Sequence, residues 1–307
     1  MRSEHPLQPE ARRLGADLAL VGVASLAFST AGPLGKVAAE IPAMTVASAR
    51  TGIAAVVLAL AAPAALVRAL RALTGRQRAA VLLAGVLLGG HFALFLAGLA
   101  ATSLAAAVAL VSLEPLAVVL AAFVAFRLRP TSLELAGLLV ATCGAVIVAS
   151  SAGAGEHRLA GDALVLGAVL LFGAYVASAR GLRHAMPATQ YAAAVYGTAS
   201  LVLLPFAAWM TNGATAPSLR AVLAVVGLGL VPTLVGHTLM QRAARHAPPV
   251  LVALVCPGET VGAIAIGVLL MGAVPTWREA LGAAVVIAGA TLAIVKGRGS
   301  REPDPSA

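Results

Sequence analysis

The chain has 307 residues, of which 60% are hydrophobic and 11% charged, and a formal net charge of +9. Soluble domains carry about 25% charged residues, so this composition excludes a soluble globular fold. The basic residues lie in short clusters between apolar runs rather than on one face, and aromatics make up 4%, which argues against a nucleic-acid partner.

A helix of about 20 apolar residues crosses the ~30 Å hydrocarbon core of a bilayer. Such runs predict ten spans, at 16–37, 43–67, 79–99, 103–125, 132–150, 160–179, 187–209, 217–240, 248–272 and 276–295. The expected class is an all-α integral membrane protein. Residues 1–15 and 297–307 read as disordered polar tails, and MRSEHPLQPEARRLGAD is too polar for a cleavable signal peptide, so the first run is expected to act as a signal anchor. Cys143 and Cys256 fall inside apolar runs and read as buried thiols. With the N-terminus inside, sixteen of the 21 Lys and Arg face the cytoplasm. Lys36, Arg158, Arg220 and Arg278 face outward, and Arg50 lies within a span. That bias predicts a multi-pass protein of the plasma membrane with both termini cytoplasmic.

The halves repeat. DLALVG (17–22) matches DALVLG (162–167), VALV (108–111) matches VALV (252–255), and TSLELAG (131–137) matches TWREALG (276–282). The repeats are residues 16–150 and 160–296. Five spans each is an odd number, so the second copy is inverted in the membrane, and inverted repeats place a substrate site at their interface near the midplane. Asp17 and Asp162 start corresponding helices and suit the positive dipole end there.

Glu114 (VALVSLEPL) and Glu259 (VALVCPGET) occupy near-equivalent mid-span positions. A charge there costs roughly 2.5–3.5 kcal/mol on insertion scales. Each acid either lines a central cavity, holding a cationic group or a proton, or is a protonated carboxyl bonded to a neighbouring helix. Pro115 and Pro257 remove mid-span backbone bonds, which gives either a cavity-facing kink or an ordinary tolerated bend. Arg50 either snorkels to the interface or pairs with Glu114, Glu259 or a substrate carboxylate. His91 and His237 follow glycines in corresponding spans and suit either a proton relay and cargo contact or hydrogen bonding within the bundle. Their spacing gives no metal site. Ser29, Thr30, Tyr175, Tyr196 and Gln241 read as polar glue between helices. Gly85 and Gly89 form a GxxxG pair that permits close packing.

SARTGIAA (48–55), AATSLAAAVALVSLEPLAVVLAAF (100–123), GLLVATCGAVIVAS (137–150), QRAARHAPPVLVALVCPGETVGAIAIGVLLMG (241–272) and EALGAAVVIAGATLAIV (279–295), with their order and topology, resemble the drug/metabolite transporter superfamily and its EamA-type exporters. The resemblance covers residues 16–296. It implies alternating-access movement of a small metabolite, often outward, through a cavity lined by the first, third, fourth, sixth, eighth and ninth spans. Arg50, Glu114, Pro115, Pro257 and Glu259 match recurring positions of the family. The chain departs from it where Phe126-Arg127 and Gly272-Ala273 replace Gly-Glu after the fourth and ninth spans, and where PGE replaces EP. The expected function is a secondary carrier for a small molecule such as an amino acid or an amphipathic or cationic compound. It would need no cofactor, work in a lipid bilayer, and leave homodimerisation open. An intramembrane enzyme is the main alternative, but GxSxG, HExxH and a mid-membrane aspartyl pair are missing, as is a Walker A sequence for ATP. A passive channel or scaffold subunit is a further alternative.

Overall fold

The computed structural model describes residues 19–127, 131–150, 157–182, 184–212, 215–244 and 255–295. The described residues are all-helical. Among the described residues, seven helices are long and apolar enough to cross a membrane, Ala19–Val37, Ala43–Ala61, Gly75–Ala101, Leu104–Ala125, Leu159–Ser178, Ala188–Thr211 and Leu219–Ala243. The apolar helices Ser132–Ala149, Val255–Met271 and Trp277–Val295 bring the crossings to ten. Large apolar side chains such as Leu26, Leu60 and Trp209 point outward, the arrangement expected where lipid is the solvent. Cys143 is exposed on this surface rather than buried, a correction to the sequence reading. The terminal segments, Asp17 and the side chains of Cys256 and Pro257 lie outside the described residues.

Two boundaries differ from expectation. The second span ends at Ala61, because Ala62 leaves helical geometry and Pro63 begins a separate helix, Pro63–Ala72. A proline lacks the N–H that a continuing helix needs. The third span starts at Gly75 instead of residue 79. Thr74 caps it: its hydroxyl accepts from the Gln77 N–H, and the Gln77 side chain accepts from the Thr74 N–H, a reciprocal cap that satisfies two orphan donors.

Packing follows the two-fold relation between the halves. The second span packs on the seventh and the fifth on the tenth, each beside its own repeat partner. The sixth approaches the fourth so closely at Gly173 that a Cβ there would overlap the Ala117 carbonyl. The equivalent approach joins the ninth span to the first, where a Cβ on Gly258 or Gly262 would overlap Ser25 or Ser29. Gly85 likewise lets the third span meet Thr198 on the seventh, so the GxxxG glycine is used. Backbones that close gain dispersion contacts, which drive helix association where lipid removes the hydrophobic effect.

Ten alternating crossings put Ala19 and Val295 at one end of the bundle, the terminal end. At the opposite, far end a buried polar hub ties several loops. His157 Nε2 lies 2.7 Å from Asp162 Oδ2, and His157 Nδ1 lies 3.5 Å from Glu279 Oε1. The Thr102 hydroxyl donates to Asp162 Oδ1 at 2.9 Å, the Ser103 hydroxyl donates to Glu279, and the Thr276 N–H donates to Glu279 Oε2 at 2.8 Å. Lys36 Nζ donates to the Thr102 carbonyl at 2.7 Å. Asp162 therefore does more than complement a helix dipole. Nearby, side-chain and backbone hydrogen bonds from Ser218 hold the Glu40 carboxyl below the usual carboxylate range.

Candidate functional site

Among the described residues, three spans depart from regular α-helix at mid-depth. The first breaks at Ser29–Thr30 and resumes at Ala31–Val37. The fourth breaks at Ser112–Leu113 between Leu104–Val111 and Glu114–Phe126, and the buried Pro115 follows the break at the second helical position. The eighth runs as α-helix Leu219–Leu228, π-helix Gly229–His237 through Pro232, then α-helix Thr238–Ala244. Irregular backbone at membrane depth is tolerated where it is buried in protein or lines a cavity. Here each irregular segment reaches the same cavity.

That cavity is lined by Phe28 and Ala31 of the first span, Arg50 of the second, and His91, Phe92 and Phe95 of the third. The fourth contributes Val111 and Glu114, the sixth Phe172, the eighth His237 and the ninth Glu259. All five polar candidates, Arg50, His91, Glu114, His237 and Glu259, are thus brought together from both halves. No lining residue is more than 6% exposed, so the lining is shielded from solvent. Its volume is about 20 Å³, enough for one water. A molecule larger than water fits there only if the helices part.

Arg50 is 1% exposed; it does not snorkel to the interface. Its Nε donates to Thr233 Oγ1 at 2.8 Å, and that hydroxyl donates in turn to the Leu228 carbonyl at 2.7 Å. The guanidinium carbon stands 3.9 Å from the centre of the Phe92 ring, within cation–π range. Arg50 and Glu259 line the same cavity, and an opposite charge on that cavity keeps a buried charge from standing alone. Arg50 Nη1 has no hydrogen-bond partner among the described residues. His91 Nδ1 lies 3.0 Å from the Ala168 carbonyl. A carbonyl only accepts, so this nitrogen carries the proton. His237 Nδ1 has no such partner among the described residues; its ring packs on Phe28 at 4.6 Å and edge-on to Phe92 at 4.9 Å.

A family model for the EamA-like transporter family matches residues 16–150 and again residues 159–295. The chain belongs to the EamA-like transporter family. The transporter is therefore an integral multi-pass membrane protein, and the two matches are its two five-helix repeats. No curated protein matches its sequence. Sixteen chains of solved structures match; one, a crystal structure of a protein, superposes with a TM-score of 0.66 at 21% identity over 91% of this chain and 96% of the other. At that identity the likeness establishes the fold alone.

Several residues of the candidate site escape sequence reasoning. Four of the chain's seven phenylalanines, Phe28, Phe92, Phe95 and Phe172, wall the cavity. Thr260 donates to the Val108 carbonyl at 2.8 Å and its hydroxyl also bonds to Ser112. This clamp joins the residue after Glu259 to the turn before Glu114, and so fixes the spacing of the two acids. Thr233 orients Arg50. Ser29 and Thr30 bond to carbonyls of their own helix, Ser25 and Ala27, rather than gluing two helices. Tyr196 does bridge helices, to Thr238 at 3.1 Å.

Proposed function

We propose that this transporter is a secondary carrier that exports a small metabolite by alternating access around the central cavity. The observation that carries the reading is the convergence of Arg50, His91, Glu114, His237 and Glu259, from five spans of both repeats, on one buried space. Buried charge is expensive in a membrane interior and marks a substrate or ion path. The two carboxylates suit an ammonium or other cationic group, Arg50 suits a carboxylate, and the phenylalanine walls suit an apolar or aromatic body. The cargo class is thus an amino acid or an amphipathic or cationic compound. Coupling by proton uptake at a glutamate is consistent with the same groups. The positive-inside bias supports a cytoplasmic terminal end in the plasma membrane, and the resemblance to exporters supports outward movement.

The test is saturable counterflow by the purified protein in vesicles, with cargo found by a thermal-shift screen of a metabolite library. Glu114→Gln and Glu259→Gln are expected to express and fold normally while losing transport and the ligand-induced shift. Wild-type transport by both variants would sink the assignment of the acids. Unsaturable flux without counterflow would indicate a channel instead.

A further inference from the structure

Gln241 is fully buried, yet neither its side-chain oxygen nor its nitrogen has a hydrogen-bond partner among the described residues. It sits in helix Thr238–Ala244, four residues after His237, hence on the same helix face one turn nearer the terminal end. Helix Thr238–Ala244 packs against the sixth and seventh spans. These carry Tyr175, Tyr191 and Tyr196, all three tyrosines of the chain and all buried. The Tyr175 ring lies 6.5 Å from that of His237. The terminal side of the cavity is therefore stopped by a polar-aromatic layer with an unsatisfied amide in it.

The two closures differ in kind. At the far end, Asp162, Glu279, His157, Thr102, Ser103 and Thr276 bond to one another, and parting the helices there breaks charge-assisted hydrogen bonds. On the terminal side, among the described residues, parting them breaks the neutral Tyr196–Thr238 bond but gives the Gln241 amide the partners it lacks. An orphaned buried polar group carries its full desolvation penalty, whereas a made bond must be replaced. Opening is cheaper where the orphan sits.

We propose that the closed conformer opens toward its terminal end, and that Gln241 is a second binding station on the path, one turn before the central cavity. The amide offers two donors and one acceptor, which fits a cargo head group that both donates and accepts, with water taking its place between cargoes. This rests on the carrier reading above for its function, but its test does not depend on transport.

The experiment uses a background in which Cys143 and Cys256 are replaced by Ala, carrying Gln241→Cys, and a membrane-impermeant maleimide applied to right-side-out or inside-out vesicles. Arg76→Cys, exposed at the terminal end, and Thr215→Cys, exposed at the far end, report which face is which whatever the topology. Gln241→Cys is expected to label from the Arg76 side and not from the Thr215 side. Labelling from the Thr215 side, or from neither, would overturn the proposal. In parallel, Gln241→Leu is expected to raise the thermal midpoint by about a few degrees by removing the orphan. A lowered midpoint would show that the amide has a partner in the closed state and would equally overturn it. Wild-type transport by both glutamate variants with correct Gln241→Cys labelling would refute the carrier chemistry but leave the opening direction intact.

Discussion

The rings of His91 and His237 stand 6.3 Å apart, centroid to centroid, at an interplanar angle of 69°. One comes from the third span and the other from its counterpart, the eighth, so the histidines meet at the interface of the repeats. Their bonding is unequal: His91 donates to the Ala168 carbonyl, and His237 Nδ1 is orphaned among the described residues.

That inequality gives opposite stability effects. His91→Phe keeps an aromatic ring but loses a net hydrogen bond, and is expected to destabilise by about 0.5–1.5 kcal/mol. His237→Phe keeps the stack on Phe28 and Phe92 and removes an orphan, so its thermal midpoint in detergent should match or exceed wild type, with transport reduced. The reverse order of midpoints would show the tautomer assignment to be mistaken.

Arg50→Lys retains the charge but not the planar guanidinium. It loses the Nε bond to Thr233 and the stacking on Phe92, because an ammonium lacks the rigid fork. A hydrogen bond to a charged group is worth about 1.5–3 kcal/mol, so transport at low cargo should fall about tenfold or more. Thr233→Val should fall less. Unchanged transport in Arg50→Lys would mean that only the charge matters.

Gly173→Ala forces a Cβ onto the Ala117 carbonyl between the fourth and sixth spans. Overpacking of this kind costs about 1–3 kcal/mol. Gly22→Ala has open space and is expected to be neutral or slightly stabilising. Thermal unfolding of the two variants side by side checks the packing; equal midpoints would contradict it.

Asp162→Asn keeps an acceptor for Thr102 but removes the carboxylate that faces His157. The hub should weaken by about 1.5–3 kcal/mol. A maleimide-reactive Ala31→Cys in the cavity wall should then become accessible from the far end, and should stay protected from that side when Asp162 is intact. Equal protection in both backgrounds would show that the hub does not close the far end.

Much of the candidate site was legible in the chain. Arg50, His91, Glu114, His237 and Glu259 stood out because ionisable side chains in hydrocarbon are expensive, and the structure places all five on one cavity. The aromatic walls were not legible. Phe92 and Phe95 lie in a span that is apolar all round, where nothing in the residue pattern separates a cavity face from a lipid face. The far-end hub was hidden for another reason: His157 and Asp162 at the start of the sixth span and Glu279 at the start of the tenth lie over a hundred residues apart, and each helix start alone looks like a solvated end.

What the sequence determined by itself is the set of constraints that lipid imposes locally. Run length gives ten crossings, charge bias gives an expected orientation, and duplicated words across an odd number of spans give two inverted repeats. Tertiary structure decided direction and pairing. It turned Arg50 inward against Phe92 rather than toward the interface, set the Ser112–Thr260 clamp between the acids, and left Gln241 without a partner among the described residues while satisfying Tyr196 with Thr238. The reason is that burial in a membrane constrains residues one span at a time, whereas the partner of a buried polar group is fixed by which helix lies opposite it.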